Sequence, residues 1–212
     1  MSVGTRTGAS LTAALLTLTL MACGGGSRSP NASSNGAAGT RVPPAAYVQS
    51  ICATLGGWKT DAAVARMMLA REARATGSLL QSKQQYVSFV SALASSSRNA
   101  AGGLRAAGIP GLSSGDRFAT GLVGAFTRAT GRLASAASEA GAIPTMTGAA
   151  DYQRAALALS RRIRRSLPSV ASITRVTMAR YPELAALEAK DPGCGPLALP
   201  APSAAPLVPG IG

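Results

Sequence analysis

Apolar side chains recur every three or four residues along the middle of this chain, and that spacing restricts it to a helical fold. The first such stripe comprises Val48, Ile51, Leu55, Trp58, Ala62, Ala65 and Leu69. Steps of three and four residues place side chains on one face of an α-helix, whereas a half-buried strand alternates with a period of two. The sequence contains no such alternation and no β-branched runs. The pattern therefore predicts an all-α protein.

Three more stripes follow, and glycine or proline separates them. The second comprises Leu79, Lys83, Tyr86, Val90 and Leu93, and the others cover residues 118–133 and 152–167. Ser113-Ser114-Gly115-Asp116 precedes the third stripe and is typical of a capping box, with Asp in place of Glu or Gln. Two shorter helical pieces are predicted around 170–179 and 182–189. Short connections make consecutive helices antiparallel neighbours, so residues 44–194 should form an up-down bundle of about four main helices with a short C-terminal helical segment.

Residues 1–22 are predicted to be an export signal. Arg6 precedes an uncharged run over residues 9–22, which is too short for a membrane-spanning helix, since such a helix needs about 20 apolar residues. The run ends in Leu20-Met21-Ala22-Cys23, and three glycines follow.

That ending resembles the lipobox of bacterial lipoproteins. The resemblance implies cleavage between Ala22 and Cys23, and a diacylglyceryl group on Cys23 with acyl chains such as palmitate. It also implies a chain anchored to the cell membrane on the extracytoplasmic face. The alternative is an uncleaved or ordinarily secreted chain in which Cys23 has no special role. Residues 23–43, rich in Gly, Ser and Ala, are predicted to be a flexible tether, and residues 195–212, rich in Pro and Ala, a disordered tail.

The other two cysteines are predicted to pair. With Cys23 carrying lipid, Cys52 and Cys194 are the remaining thiols, in a compartment where disulfides persist. A Cys52–Cys194 bond would tie the C-terminal end to the first helix. The alternative interpretation makes Cys52 a small buried apolar residue and Cys194 a free thiol.

The layout as a whole resembles a set of uncharacterised actinobacterial lipoproteins. The shared features are the lipobox, the low-complexity tether and the motifs Ile51-Cys52-x-x-Leu55-x-x-Trp58, Leu184-x-x-Leu187 and Pro192-Gly193-Cys194. The resemblance covers nearly the whole mature chain and implies a helical domain, with no activity to carry over.

The composition argues against most catalytic classes. The chain has no histidine, which excludes the usual serine or cysteine triads and any HExxH metal site, and its three cysteines form no CxxC pair for a four-thiolate zinc site. The acidic residues form no convincing catalytic pair. We therefore expect a protein that is not an enzyme and has neither metal nor cofactor.

Arginine dominates the strong positive charge of +13 and clusters in the fourth predicted helix. At 100° per residue, Arg154, Arg161 and Arg165 lie opposite the stripe that contains Ile163, and Arg162 and Arg164 flank them. Such a face could contact anionic lipid head groups or an acidic envelope polymer. The alternative is a solvated outer face. Nucleic acid is not expected as a partner, because no stacking aromatic residues accompany the arginines.

Two functions fit this description. The first is a lipid-anchored, non-enzymatic protein of the cell envelope that binds or scaffolds another component whose identity the sequence leaves open. The second is a carrier or sensor for a small apolar ligand held between the helices. That ligand would need an internal cavity of roughly 300 Å³ or more. Its lining would come from the aromatic residues and from Met67 or Met68; these aromatic residues are Trp58, Tyr86, Phe89, Phe118, Phe126 and Tyr152.

Overall fold

Helices make up most of the residues described by a computed structural model, which are 39–75, 77–167 and 180–195. Within them, the long helices are α1 (Pro44–Ala75), α2 (Leu79–Ala106), α3 (Gly115–Ala142) and α4 (Ala149–Ser166). A short helix α5 (Pro182–Glu188) and a 3₁₀ turn (Pro192–Cys194) follow. The chain is predominantly helical, as the apolar stripes predict.

Several predicted segments lie outside these residues. They are the export signal with Leu20, Met21, Ala22 and Cys23, most of the tether and the tail, and the helical piece around 170–179.

A two-residue strand pair joins the start of the body to the loop between α2 and α3. Strands β1 (Arg41–Val42) and β2 (Ile109–Pro110) are parallel, and the Ile109 amide donates to the Thr40 carbonyl at 3.0 Å. The turn before β2 depends on Gly108, which has a φ of +80° and whose added Cβ would lie 2.6 Å from the Thr40 carbonyl oxygen. Arg41 and Val42 fall within the range assigned to the tether, so the chain joins the body before Pro44. Two residues are too short a strand to produce a period-two signal.

The predicted capping box at the start of α3 is wrong. Ser114 occupies the N-cap position, but its φ of 65° is left-handed and its side chain caps no amide. A serine that caps a helix normally has extended backbone. The backbone at the start of α3 instead lies close to the loop before it, because a Cβ added to Gly115 would be 2.2 Å from the Pro110 carbonyl oxygen. A residue larger than glycine would not fit there.

Two apolar clusters form the core. The first joins the N-terminal half of α1 to α2, α3 and α5. Two edge-to-face ring pairs join α1 to α3 within it, Tyr47–Phe118 at 5.8 Å and Trp58–Phe126 at 5.3 Å. The second joins the C-terminal half of α1 to α2, α3 and α4 and contains Leu93, Leu133 and Ile163. Edge-to-face rings are favourable beyond the area they bury, so these few aromatic residues contribute strongly to a core rich in alanine.

Lys83 has a role that the apolar stripe of α2 does not predict. Its Nζ donates to the carbonyl oxygens of Gly141 at 3.0 Å and Ile143 at 3.3 Å. These carbonyls lie at the C-terminal end of α3, where the helix dipole favours a positive charge. The lysine therefore links the start of α2 to the end of α3.

Replacing Lys83 with methionine should lower the free energy of unfolding by about 1–2 kcal/mol, because a charge-assisted cap of two carbonyls is lost while the aliphatic stem is kept. Urea denaturation measures this loss. Lys190→Met, at an exposed lysine, is the matched control and should change the free energy by less than about 0.5 kcal/mol. Equal losses in the two variants would contradict the assigned role.

Candidate functional site

The Cys52–Cys194 disulfide holds the C-terminal end of the body against α1. The two sulfurs are 2.04 Å apart, the Cα atoms are 4.9 Å apart, and both residues are buried. The 3₁₀ turn that presents Cys194 is capped by Asp191, whose Oδ1 accepts from the Gly193 amide at 2.8 Å. The predicted pairing is thus present and joins residues 142 positions apart in the sequence.

Helix α4 buries one face and exposes its arginines on the other. Tyr152, Ala156, Leu159 and Ile163 are buried in the second cluster. All five arginines named from the sequence are exposed, and they are Arg154, Arg161, Arg162, Arg164 and Arg165. We call these five residues the arginine face.

Acidic neighbours engage part of the arginine face. Arg154 pairs with Asp151 one turn earlier, and Arg162 pairs with Glu139 on α3. Within the described part of the chain, Arg161, Arg164 and Arg165 form no ion pair. Such exposed pairs contribute little to stability. The face therefore keeps a concentrated positive charge near the end of α4, where the helix dipole stabilises cations.

A groove lies between α1 and α2 that was not predicted from the sequence. Its volume is about 510 Å³. Two partly exposed apolar side chains, Val64 and Met68, border it, and Leu69 and Phe89 lie at its base. The lining residues are Asp61, Val64, Ala65, Met68, Leu69, Glu72, Gln85, Ser88, Phe89, Ala92, Ser95, Ser96 and Asn99. We call this feature the α1–α2 groove.

Five of the six aromatic residues considered for an internal pocket are packed in ring pairs, and the sixth, Tyr152, is buried in the second cluster. Trp58 contacts Phe126 and donates from Nε1 to the Ser97 hydroxyl at 3.2 Å. Phe118 contacts both Tyr47 and Tyr181. Of the six aromatic residues named from the sequence, Phe89 alone lines the α1–α2 groove. Met67 and Met68 are 62% and 45% exposed, so they belong to the surface of α1.

A pair of hydrogen-bonded hydroxyl groups lies inside the core between α2 and α4. The Tyr86 and Ser160 hydroxyls are 2.8 Å apart, and both residues are buried. Burial raises the pKa of Tyr86, and burial together with the nearby Tyr86 raises the pKa of Tyr152 to about 12. Both tyrosine hydroxyls are therefore neutral at pH 7. The hydrogen bond between the Tyr86 and Ser160 hydroxyls holds α4 against α2.

Over residues 39–75, 77–167 and 180–195, no three His, Cys, Asp or Glu side chains converge to hold a metal ion. None of the described helices has both the length and the apolar character to span a membrane. No family model, curated protein or solved structure matches this chain.

Proposed function

We propose that this chain is a lipid-anchored protein of the cell envelope, held on the extracytoplasmic face, which binds or scaffolds another envelope component without catalysis. The observation that carries the proposal is the Cys52–Cys194 disulfide. The chain has three cysteines, and this bond leaves Cys23 as the remaining thiol. Cys23 is the residue that the lipobox-like ending would lipidate. A stable disulfide also suits an exported protein, because reducing compartments keep thiols free.

The proposed anchor and tether would keep the body close to the membrane surface. Two acyl chains on Cys23 are sufficient for stable anchoring, where one chain is marginal. A flexible linker over the residues that follow Cys23 would span roughly 25 Å before the chain joins the body. The body would therefore reach the adjacent lipid head groups and any polymer that lies among them.

The arginine face is the surface that we assign to this contact. Its side chains are exposed, and Arg161, Arg164 and Arg165 form no ion pair within the described residues. Each arginine close to an anionic surface contributes about 1 kcal/mol of attraction. The partner is therefore an anionic envelope component, either lipid head groups or an acidic polymer.

Replacing Arg161, Arg164 and Arg165 with glutamine should weaken binding to vesicles of phosphatidylglycerol and phosphatidylcholine on the order of 100-fold, since three surface arginines are removed. The experiment uses the mature chain with Cys23→Ser, so that no acyl anchor inserts, and co-sedimentation as the readout. Soluble polyglutamate serves as the test for a polymer partner.

The matched control for that variant replaces Arg71, Arg98 and Arg117, which are exposed on three other helices. It removes the same charge without touching the arginine face and should bind nearly as well as the parent. Equal weakening in both variants would show that net charge, and not this face, drives binding. Absence of binding to both vesicles and polyglutamate would contradict the proposed contact.

We also propose the finer arrangement of the helices, an antiparallel up-down bundle. Contacts between α1 and α2 support it, because Trp58 lies against Ser97 while Thr54, earlier in α1, faces Gly103, later in α2. Contacts between α2 and α3 follow the same order. Lys83 reaches Gly141 at one end of this pair, and Arg105 donates to Thr127 at the other.

A carrier or sensor of a small apolar ligand is the second candidate function. The observation that favours it is the α1–α2 groove, whose volume of about 510 Å³ falls within the range of small-molecule sites. The packed aromatic residues do not contribute to such a site, apart from Phe89.

A further inference from the structure

The Cys52 sulfur lies on the flank of α1 that the end of the chain covers. Thr54 faces α2, since a Cβ added to Gly103 would lie 2.9 Å from its side chain. Cys52 comes two residues before Thr54, and at 3.6 residues per turn it lies about 200° around the helix, on the other flank. There α5 and the 3₁₀ turn pack against α1, and the turn supplies Cys194 to the bond. The burial of Cys52 therefore depends on residues 182–194.

The sequence places a competing thiol much closer to Cys52 than its partner. Cys23 lies 29 positions before Cys52, whereas Cys194 lies 142 positions after it. The entropic cost of closing a loop grows as (3/2)RT ln n, which favours the shorter loop about tenfold in an unfolded chain. An N-terminal export signal would also bring Cys23 and Cys52 across the membrane before Cys194. A free thiol at Cys23 would therefore compete for Cys52 until residues 182–194 dock.

We propose that the lipid on Cys23 also directs disulfide formation, because it removes the competing thiol before Cys52 is oxidised. This role rests on the proposed function, which supplies the diacylglyceryl group. Two reactions then occur in a fixed order. The first is transfer of a diacylglyceryl group to the Cys23 thiol, and the second is oxidation of Cys52 and Cys194. The anchor thus contributes to correct folding of the body as well as to its location.

The first reaction converts a nucleophilic thiol into an inert group. A bond forms between Cys23 Sγ and a glyceryl carbon of a phospholipid, and the bond from that carbon to the head-group phosphate breaks. The thiol proton leaves with the released phosphate. The product is a thioether, which cannot become a thiolate and therefore cannot attack another sulfur.

The second reaction needs an oxidant that carries a disulfide, such as an oxidoreductase of the extracytoplasmic compartment. The Cys52 and Cys194 thiols give up two electrons and two protons as their S–S bond forms. The oxidant accepts both and becomes a dithiol. With Cys23 in a thioether, these two thiols have one possible intramolecular pairing.

The reverse order would misdirect the pairing. Oxidation before lipidation would join Cys23 to Cys52, and Cys194 would then have no partner thiol in the chain. Once the native bond has formed, Cys52 and Cys194 are both buried, so a free thiol at Cys23 could no longer reach their sulfurs. The order of the two reactions therefore matters until the C-terminal end of the body docks on α1.

A refolding experiment with the mature, unlipidated chain tests this role directly. Treating the folded, natively bonded protein with iodoacetamide alkylates Cys23 alone, and the resulting thioether stands in for the lipid. The alkylated and untreated chains are then reduced, unfolded in urea and diluted into oxidised glutathione. Trypsin digestion without reduction, followed by mass spectrometry, identifies each bond, because Arg28, Lys59 and Lys190 separate the three cysteines.

We expect the untreated chain to form the Cys23–Cys52 bond in about tenfold excess over Cys52–Cys194 among its first intramolecular bonds. The alkylated chain should form Cys52–Cys194 directly. Equal rates and yields of Cys52–Cys194 in the two chains would overturn the proposal, because the fold alone would then select the correct pair.

The same comparison can be made during export, in a host with and without its diacylglyceryl transferase. The chain should carry Cys52–Cys194 in the first host and Cys23–Cys52 in the second. Cys23→Ser in the second host is the matched control and should restore Cys52–Cys194. Native pairing beside a free Cys23 thiol would overturn the role of the lipid. An unlipidated chain in the first host would instead contradict the proposed anchor, and refolding would still decide whether a free Cys23 thiol misdirects the pairing.

Discussion

Replacing Cys52 with serine should lower the free energy of unfolding by about 3–5 kcal/mol, because the lost bond joins residues 142 positions apart. A disulfide stabilises mainly by restricting the unfolded chain, and the restriction increases with the length of the loop that it closes. A domain of this size has a total stability of about 5–15 kcal/mol, so the loss is a large fraction. The melting temperature should fall by about 10 °C.

The control for this change is the parent protein under reducing conditions. Reduction should bring the parent to the stability of the Cys52→Ser, Cys194→Ser double variant, and it should leave that variant unchanged. The double variant also avoids a single free thiol that could pair between molecules. If the oxidised parent and the double variant had the same melting temperature, the disulfide would not stabilise the body.

Replacing Cys23 with alanine should move the exported protein from the detergent phase to the aqueous phase in a phase-partition experiment. The thiol that would carry the diacylglyceryl group is absent, and each buried methylene contributes about 0.8 kcal/mol to membrane affinity. The loss of two acyl chains is therefore expected to abolish anchoring.

Ser27→Ala, four residues further on in the predicted tether, is the matched control and should remain in the detergent phase. The Cys23→Ala variant should keep the melting temperature of the body, because the substitution lies outside residues 39–195. Continued partition of Cys23→Ala into detergent would contradict the lipobox interpretation and assign membrane association to another segment.

The helices could be predicted from the sequence because apolar spacing is a local property. Leu55 and Leu133 lie in their predicted stripes and are fully buried. The structure differs from the predictions where a residue's role depends on contacts with residues that are distant in the sequence. Lys83 occupies a stripe position but caps the end of α3, and Gly115 rather than a serine hydroxyl shapes the start of that helix. Each depends on contacts with chain segments that only the folded body brings together.

The two surface features also differ in how far the sequence could predict them. The arginine face follows from 100° per residue within one helix, and the exposed positions of Arg161 and Arg165 agree with that arithmetic. The α1–α2 groove requires two helices and their register, so Asp61 and Glu72 do not stand out in the sequence. One feature of the sequence did point to an exposed apolar surface on α1, because Val64 and Met68 are apolar but lie off the stripe that Leu55, Trp58 and Leu69 define.

The intact mass of the mature protein from its native envelope, measured with and without reduction, decides whether Cys23 carries lipid and whether Cys52 and Cys194 are bonded. We expect a chain that begins at Cys23, carries a diacylglyceryl group, and gains the mass of two hydrogen atoms when reduced and unfolded. That result would place the lipid and the disulfide on the three cysteines as proposed. An unlipidated chain that begins at another residue would contradict the anchor and with it the proposed location at the membrane.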